Sequence, residues 1–261
     1  MGDIRFPKLI ASESQNIFCV AHLPSSSEGP FPVVIICHGL GGSKVGRFRH
    51  PVLLSESLAR SGIASVRFDF RGNGDSEGSF VETTPERCVE DLRSVFAWVS
   101  KEPVFDTSCL GLFGRSFGGV VSLLYAARNP KIVSALCVQS PPFAIDLYSD
   151  KSPPHVKLEK RDFFFDQEKM CQAFVDQLSK MEMAEVMKSL HEVPFLHIGG
   201  GNDDVVPSEH TKLYEKARKG AQAPTQFKML PAADHILSNI SDRRTVLKES
   251  THWFIRHLVT Q

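Results

Sequence analysis

The stretch CLGLFGRSFGGVVSLLYAA, Cys109 to Ala127, decides how the rest of the chain is read. An apolar, strand-like run, Cys109 to Phe113, ends at Gly114-Arg115-Ser116-Phe117-Gly118-Gly119, and a helix-like run, Val120 to Ala127, follows directly. The centre carries the pattern G-x-S-x-G around Ser116. Between a strand and a helix that pattern marks a nucleophile elbow, a turn tight enough to strain the serine backbone, with glycines on either side leaving room for neighbouring chain. A glycine-rich turn with an inert serine would carry the same letters. The strand-turn-helix context separates the two readings, and both flanks supply it.

Working outward, Val33 to Cys37 is a continuous apolar run rather than an alternating one, the mark of a strand covered on both faces in a parallel sheet. Further strands are expected at Arg5–Ile10, Asn16–Leu23, Ile63–Phe70, Ile132–Val138, Val193–Ile198 and Phe227–Leu230, the first two as an antiparallel edge. Helices are expected at Pro51–Ser61, from Pro85 to about Val99, from Ser208 to about Lys219, and at Arg243–Val259. Strand and helix alternate, which predicts a doubly wound α/β architecture with a mostly parallel sheet flanked by helices.

The alternation lapses over residues 143–192, too long for a connecting loop. This stretch holds the aromatic triplet Phe163-Phe164-Phe165 and a helical portion around Gln167 to Leu190. The chain is read as one domain over residues 1–261, with 143–192 a cap inserted within it. Phe143, Phe163 and Phe164 are candidate substrate contacts; simple packing of the insert onto the sheet is the alternative for each.

Composition excludes several functions. Lys plus Arg number 30 and Asp plus Glu number 30, so no net positive field exists to attract nucleic acid or an anionic membrane. The six cysteines lack C-x-x-C spacing and read as reduced core residues. With no apolar leader near Met1 and no bilayer-length apolar stretch, a cytoplasmic location is expected. The histidines lack zinc-ligand spacing and no nucleotide-binding glycine motif occurs, so neither metal nor cofactor is expected.

A serine hydroxyl is a weak nucleophile near neutral pH and needs a base, which in turn needs an acid to orient it. The turn after Val193–Ile198 supplies Asp203 and Asp204, and the turn after the last strand supplies His235. Three strand-end turns thus carry serine, acid and histidine in the order Ser, Asp, His. Spacing alone does not separate the two adjacent carboxylates.

The motifs HGLGG at His38, FDFRGNGDS at Phe68, GRSFGG at Gly114, GGNDDVVP at Gly200 and ADH at Ala233 together resemble those of α/β-hydrolase serine hydrolases, over nearly the whole chain. Within that superfamily the chain is most similar to compact esterases of the feruloyl and cinnamoyl type. The resemblance selects Asp203 as the acid and implies an oxyanion hole from the backbone amides of Leu40 and Phe117. It gives His38 a shaping role and makes the Asp69, Arg71 and Asp75 loop a brace, with Asn73 standing where the family often has histidine. Arg115, a less usual neighbour of the nucleophile, reads as a surface salt bridge or as a contact for an anionic substrate. The function expected is hydrolysis of a small-molecule carboxylic ester through an acyl-serine. A peptidase, thioesterase or acyltransferase would use the same triad, and a non-catalytic binding scaffold is the rival of a different class.

Overall fold

A computed structural model describes residues 3–25, 28–144, 156–159, 162–165 and 168–259, with the side chains of 156–159 and 162–164 outside the description. Strands β1 (Ile4–Ser12) and β2 (Gln15–Leu23) pair antiparallel through a two-residue turn at Glu13 and Ser14. Then follow β3 (Phe31–Cys37), α1 (His50–Arg60), β4 (Ala64–Phe68), α2 (Pro85–Val99), β5 (Phe105–Arg115), α3 (Phe117–Arg128) and β6 (Val133–Gln139). After the insert come β10 (Phe195–Gly200), α6 (Ser208–Ala217), β11 (Thr225–Leu230) and α7 (Ile240–Leu258). Pro85 opens α2 as its first helical residue, where a missing N–H costs nothing, and the Thr84 hydroxyl caps it by accepting from Arg87 N at 3.1 Å.

These strands form one sheet in the order β1-β2-β4-β3-β5-β6-β10-β11. It is parallel except where β2 meets β1 and β4. The continuous apolar run of β3 has the predicted cause. Val33, Ile35 and Cys37 enter the core shared with α2 and α3, while Val34 and Ile36 enter the opposite core under α1 and α7. From β3 the chain runs to β4 on one side, then returns through β5 to β6, β10 and β11 on the other. The β3/β5 junction is therefore the topological switch point, where loops at the carboxyl ends of strands diverge and leave a crevice.

The insert departs from the expected helical reading of Gln167 to Leu190. A small antiparallel sheet, β7 (Val156–Glu159), β8 (Asp162–Phe165) and β9 (Glu168–Lys169), precedes two short helices, α4 (Gln172–Ser179) and α5 (Met183–Ser189). Geometry explains the break. Phe174 and Met183 are both buried, yet nine residues along one continuous helix would put them about 180° apart. Interrupting the helix lets α4 lie against α2 and β8 while α5 lies against α3 and α6, with Phe174 and Met183 both buried. None of the helices among the described residues is long and apolar enough to cross a membrane.

Candidate active site

Ser116 stands between the end of β5 and the start of α3 with φ 51° and ψ −126°, a strained conformation for a residue with a side chain. Its N–H donates to Gln139 O on β6 at 2.8 Å, and its carbonyl accepts from Gly119 N at 2.8 Å, so sheet and helix hold the strain in place. The flanking glycines are required by contact. A Cβ on Gly114 would lie 2.5 Å from Gly118 O, and one on Gly118 would lie 2.2 Å from His38 O. Only glycine lets α3 approach β3 and β5 this closely.

Two other strand ends bring their side chains to the serine. His235, in the turn after β11, places Nε2 3.1 Å from Ser116 Oγ and Nδ1 2.8 Å from Asp203 Oδ2. Asp203, in the turn after β10, is buried, and its Oδ1 accepts from Val205 N at 3.0 Å and Val206 N at 2.7 Å. With Nδ1–H donating to the carboxylate, Nε2 is left to accept the serine proton. Asp204 is exposed, and of the two adjacent carboxylates it is Asp203 that is hydrogen-bonded to the imidazole.

Leu40 lies in the turn after β3, closed by Gly42 N donating to Gly39 O at 3.0 Å. His38 shapes this turn: Nδ1 donates to Gly39 O at 2.7 Å and Nε2 accepts from Phe70 N at 3.0 Å. Burial lowers the His38 pKa, which keeps the ring in the neutral form those two bonds need. Leu40 and Phe117 both line the cavity beside Ser116, and neither amide is hydrogen-bonded to another described residue.

The brace loop behaves as a charge network. Asp69 accepts from Lys44 N, Lys44 Nζ and Asp75 N, while Arg71 pairs with buried Asp91 and with Glu13. Asn73 is buried and donates to Arg71 O at 3.1 Å, a local turn contact away from the serine.

The cavity, about 840 Å³, opens over Ser116 and His235. From the insert and its approach, Phe143, Phe165 and Phe174 line it; Phe174 packs on Phe117 with centroids 5.6 Å apart, and Phe143 on Tyr214 at 4.9 Å. Phe163 and Phe164 lie on β8, with their side chains outside the described residues. Phe174 belongs to no motif, and only its burial in three dimensions reveals its place. Arg115 corrects the surface salt-bridge reading. It has no carboxylate partner among the described residues; it lines the cavity, and Nη2 donates to His235 O at 2.8 Å. Burial lowers the guanidinium pKa from its ordinary value, with Asp203 opposing.

Comparison with known proteins agrees with this architecture. Residues 53–261 match the profile of the prolyl oligopeptidase family. The chain is similar to an uncharacterized protein of Mycobacterium tuberculosis, 26% identical over 226 residues, covering 87% of this chain and 70% of that protein. It is also similar to a putative carboxymethylenebutenolidase of Yersinia pestis, 23% identical over 270 residues and covering 96% and 88% respectively. Among solved structures, ferulic-acid-bound Est1E from Butyrivibrio proteoclasticus superposes with a TM-score of 0.84 at 20% identity, over 97% of this chain and 100% of that one. The fold is that of the α/β hydrolases.

Proposed function

Since this chain belongs to the prolyl oligopeptidase family, we propose that it is a serine hydrolase cleaving carboxylic esters, with Ser116 as nucleophile, His235 as general base and acid, and Asp203 as the orienting carboxylate. The observation that carries the reading is the hydrogen-bonded line from Ser116 Oγ through His235 to buried Asp203. As Oγ attacks the ester carbon, its proton passes to His235 Nε2 and the carbonyl π electrons move onto oxygen. That oxyanion is met by the amides of Leu40 and Phe117, each such donor being worth about 3 to 4 kcal/mol in hydrolases generally. Collapse expels the alkoxide, which takes the proton from Nε2, leaving an acyl-Ser116. Water, deprotonated by His235, then repeats the sequence and releases the acid.

Residues 143–192 act as a cap in this reading, supplying Phe143, Phe165 and Phe174 to the cavity wall. The family match favours a second reading, a peptidase using the same residues, since an amine leaving group would take the same proton from Nε2.

The test is turnover of a short-chain aryl ester and of an aminoacyl arylamide by wild type and Ser116→Ala, together with labelling by a fluorophosphonate. Ester turnover and labelling that both vanish in Ser116→Ala are expected. Ester hydrolysis that persists in the variant refutes the assignment, and arylamide turnover exceeding ester turnover selects the peptidase.

A further inference from the structure

The walls of the cavity differ in chemistry. One is apolar, carrying Phe117, Phe143, Phe165, Phe174, Leu178 and Met181; the other carries Arg47, Arg115 and Arg243 around His50. No aspartate or glutamate occurs among the described lining residues. Elsewhere Lys44 meets Asp69 and Asp75 and Arg71 meets Glu13 and Asp91, while buried Arg67 and Arg218, which have no salt-bridge partner among the described residues, spend their guanidinium N–H groups on imidazole, carbonyl and hydroxyl acceptors.

None of the three cavity arginines has a carboxylate at salt-bridge distance among the described residues; Asp203 and Asp234 act on Arg115 only from farther off. Arg115 makes one hydrogen bond, to the His235 carbonyl, and its other N–H groups have no acceptor among the described residues. Arg243 donates Nη1 to the Leu237 and Ser238 carbonyls at 2.6 and 2.8 Å and lies over the Phe48 ring at 4.1 Å, all uncharged partners. Arg47 is exposed, and its charge works with burial to lower the Arg115 pKa. His50 does not add to the positive charge, because burial and then Arg115 drive its pKa to about 4. A partly buried guanidinium with unused N–H groups and no carboxylate in contact is unfavourable, and its planar fork matches a carboxylate.

We infer that the natural substrate is an ester that also bears a carboxylate, with Arg115 binding that group beside Ser116 and the phenylalanine wall receiving the apolar remainder. The inference rests on the proposed role of Ser116 and deepens it. It fixes the substrate class: one anionic end, one apolar end, the scissile ester between them. Arg47 and Arg243 supply attraction at longer range, which added salt screens.

The experiment compares kcat/KM within matched pairs. The first pair is 4-nitrophenyl hydrogen adipate against its methyl ester, with the charge on the acyl side. The second is 4-butyryloxybenzoate against its methyl ester, with the charge on the leaving group. Wild type is expected to favour the charged member of at least one pair about 10-fold or more at low salt, falling toward parity in high salt. Arg115→Met should abolish that ratio. Because the ratio is read within a pair, any general loss from loosening the His235 turn cancels. Arg47→Gln, an exposed position, should lower the ratio about two- to threefold and serves if Arg115→Met does not fold. Ser116-dependent hydrolysis with ratios of one or less in both pairs overturns the inference and leaves the hydrolase reading standing, as do ratios unchanged in the arginine variants. Absence of Ser116-dependent turnover on all four esters overturns both.

Discussion

Asp203→Asn tests the proposed mechanism at its most specific point. Both Val205 N and Val206 N donate to Oδ1, so the asparagine carbonyl is held there and its NH2 takes the place of Oδ2, the atom 2.8 Å from His235 Nδ1. Donor would then face donor. The imidazole relieves the clash by moving its proton to Nε2, the nitrogen that must accept from Ser116 Oγ. The site keeps its shape and loses its base. The expected cost is about 10⁴ in kcat, or roughly 5 kcal/mol of transition-state stabilisation. Asp204→Asn alters an exposed side chain and should stay within about twofold. The assay is kcat on a short-chain aryl ester, with thermal unfolding as control, because the two amides remain satisfied in the variant. A loss under about tenfold for Asp203→Asn, or an equal loss for Asp204→Asn, would refute the reasoning.

Two further variants probe the scaffold. Gly118→Ala would bring a Cβ within 2.2 Å of His38 O and 2.5 Å of Cys37 O, both backbone atoms, so a loss of about 3 kcal/mol or more is expected in urea unfolding; wild-type stability would show that α3 does not approach β3 so closely. Burial drives the pKa of His197 from 6.5 to about 3 and those of His22 and His50 to about 4. Above pH 6.5 these rings are neutral in both states; below it the unfolded chain takes protons the folded one refuses, so stability falls with acid, by about 2 kcal/mol per ring between pH 6.5 and 5. Neither His197 ring nitrogen has a partner in another described residue, so His197→Leu should flatten this loss across urea titrations at several pH values, and an unchanged slope would count against it.

Much of the fold was legible because its signals are local. Val33 to Cys37 is buried on both faces and is apolar at successive positions, and Gly114 and Gly118 mark the elbow because their contacts admit nothing else. The insert was less legible. Whether Phe174 and Met183 share a helix depends on which bodies each must reach, and Glu168 and Lys169 pair with Phe165 and Phe164 in a strand whose own residues carry no β pattern. The surface salt-bridge reading of Arg115 fails for the same reason. Its one hydrogen-bond partner is 120 residues away, and no local pattern separates a solvated arginine from one lining a cavity. Spacing alone leaves Asp203 and Asp204 equivalent and only the family resemblance chooses between them; the physical difference lies in three dimensions, where the Val205 and Val206 amides hold the side chain of Asp203 and Asp204 stays exposed.

Gly41 sits next to Leu40 at φ 62°, and a Cβ there would fall 2.4 Å from Phe165 Cε1. The ring from the insert thus occupies the space a side chain would need on the very turn whose amide is assigned to the oxyanion. Grip and chemistry share one joint. In the proposed mechanism, a ligand that shifts β8 by a fraction of an ångström would move the turn it leans on and so couple turnover to affinity. Inhibitors built against the insert should then show mixed rather than purely competitive kinetics, and selection for a new substrate acting on the insert would alter speed as well as choice.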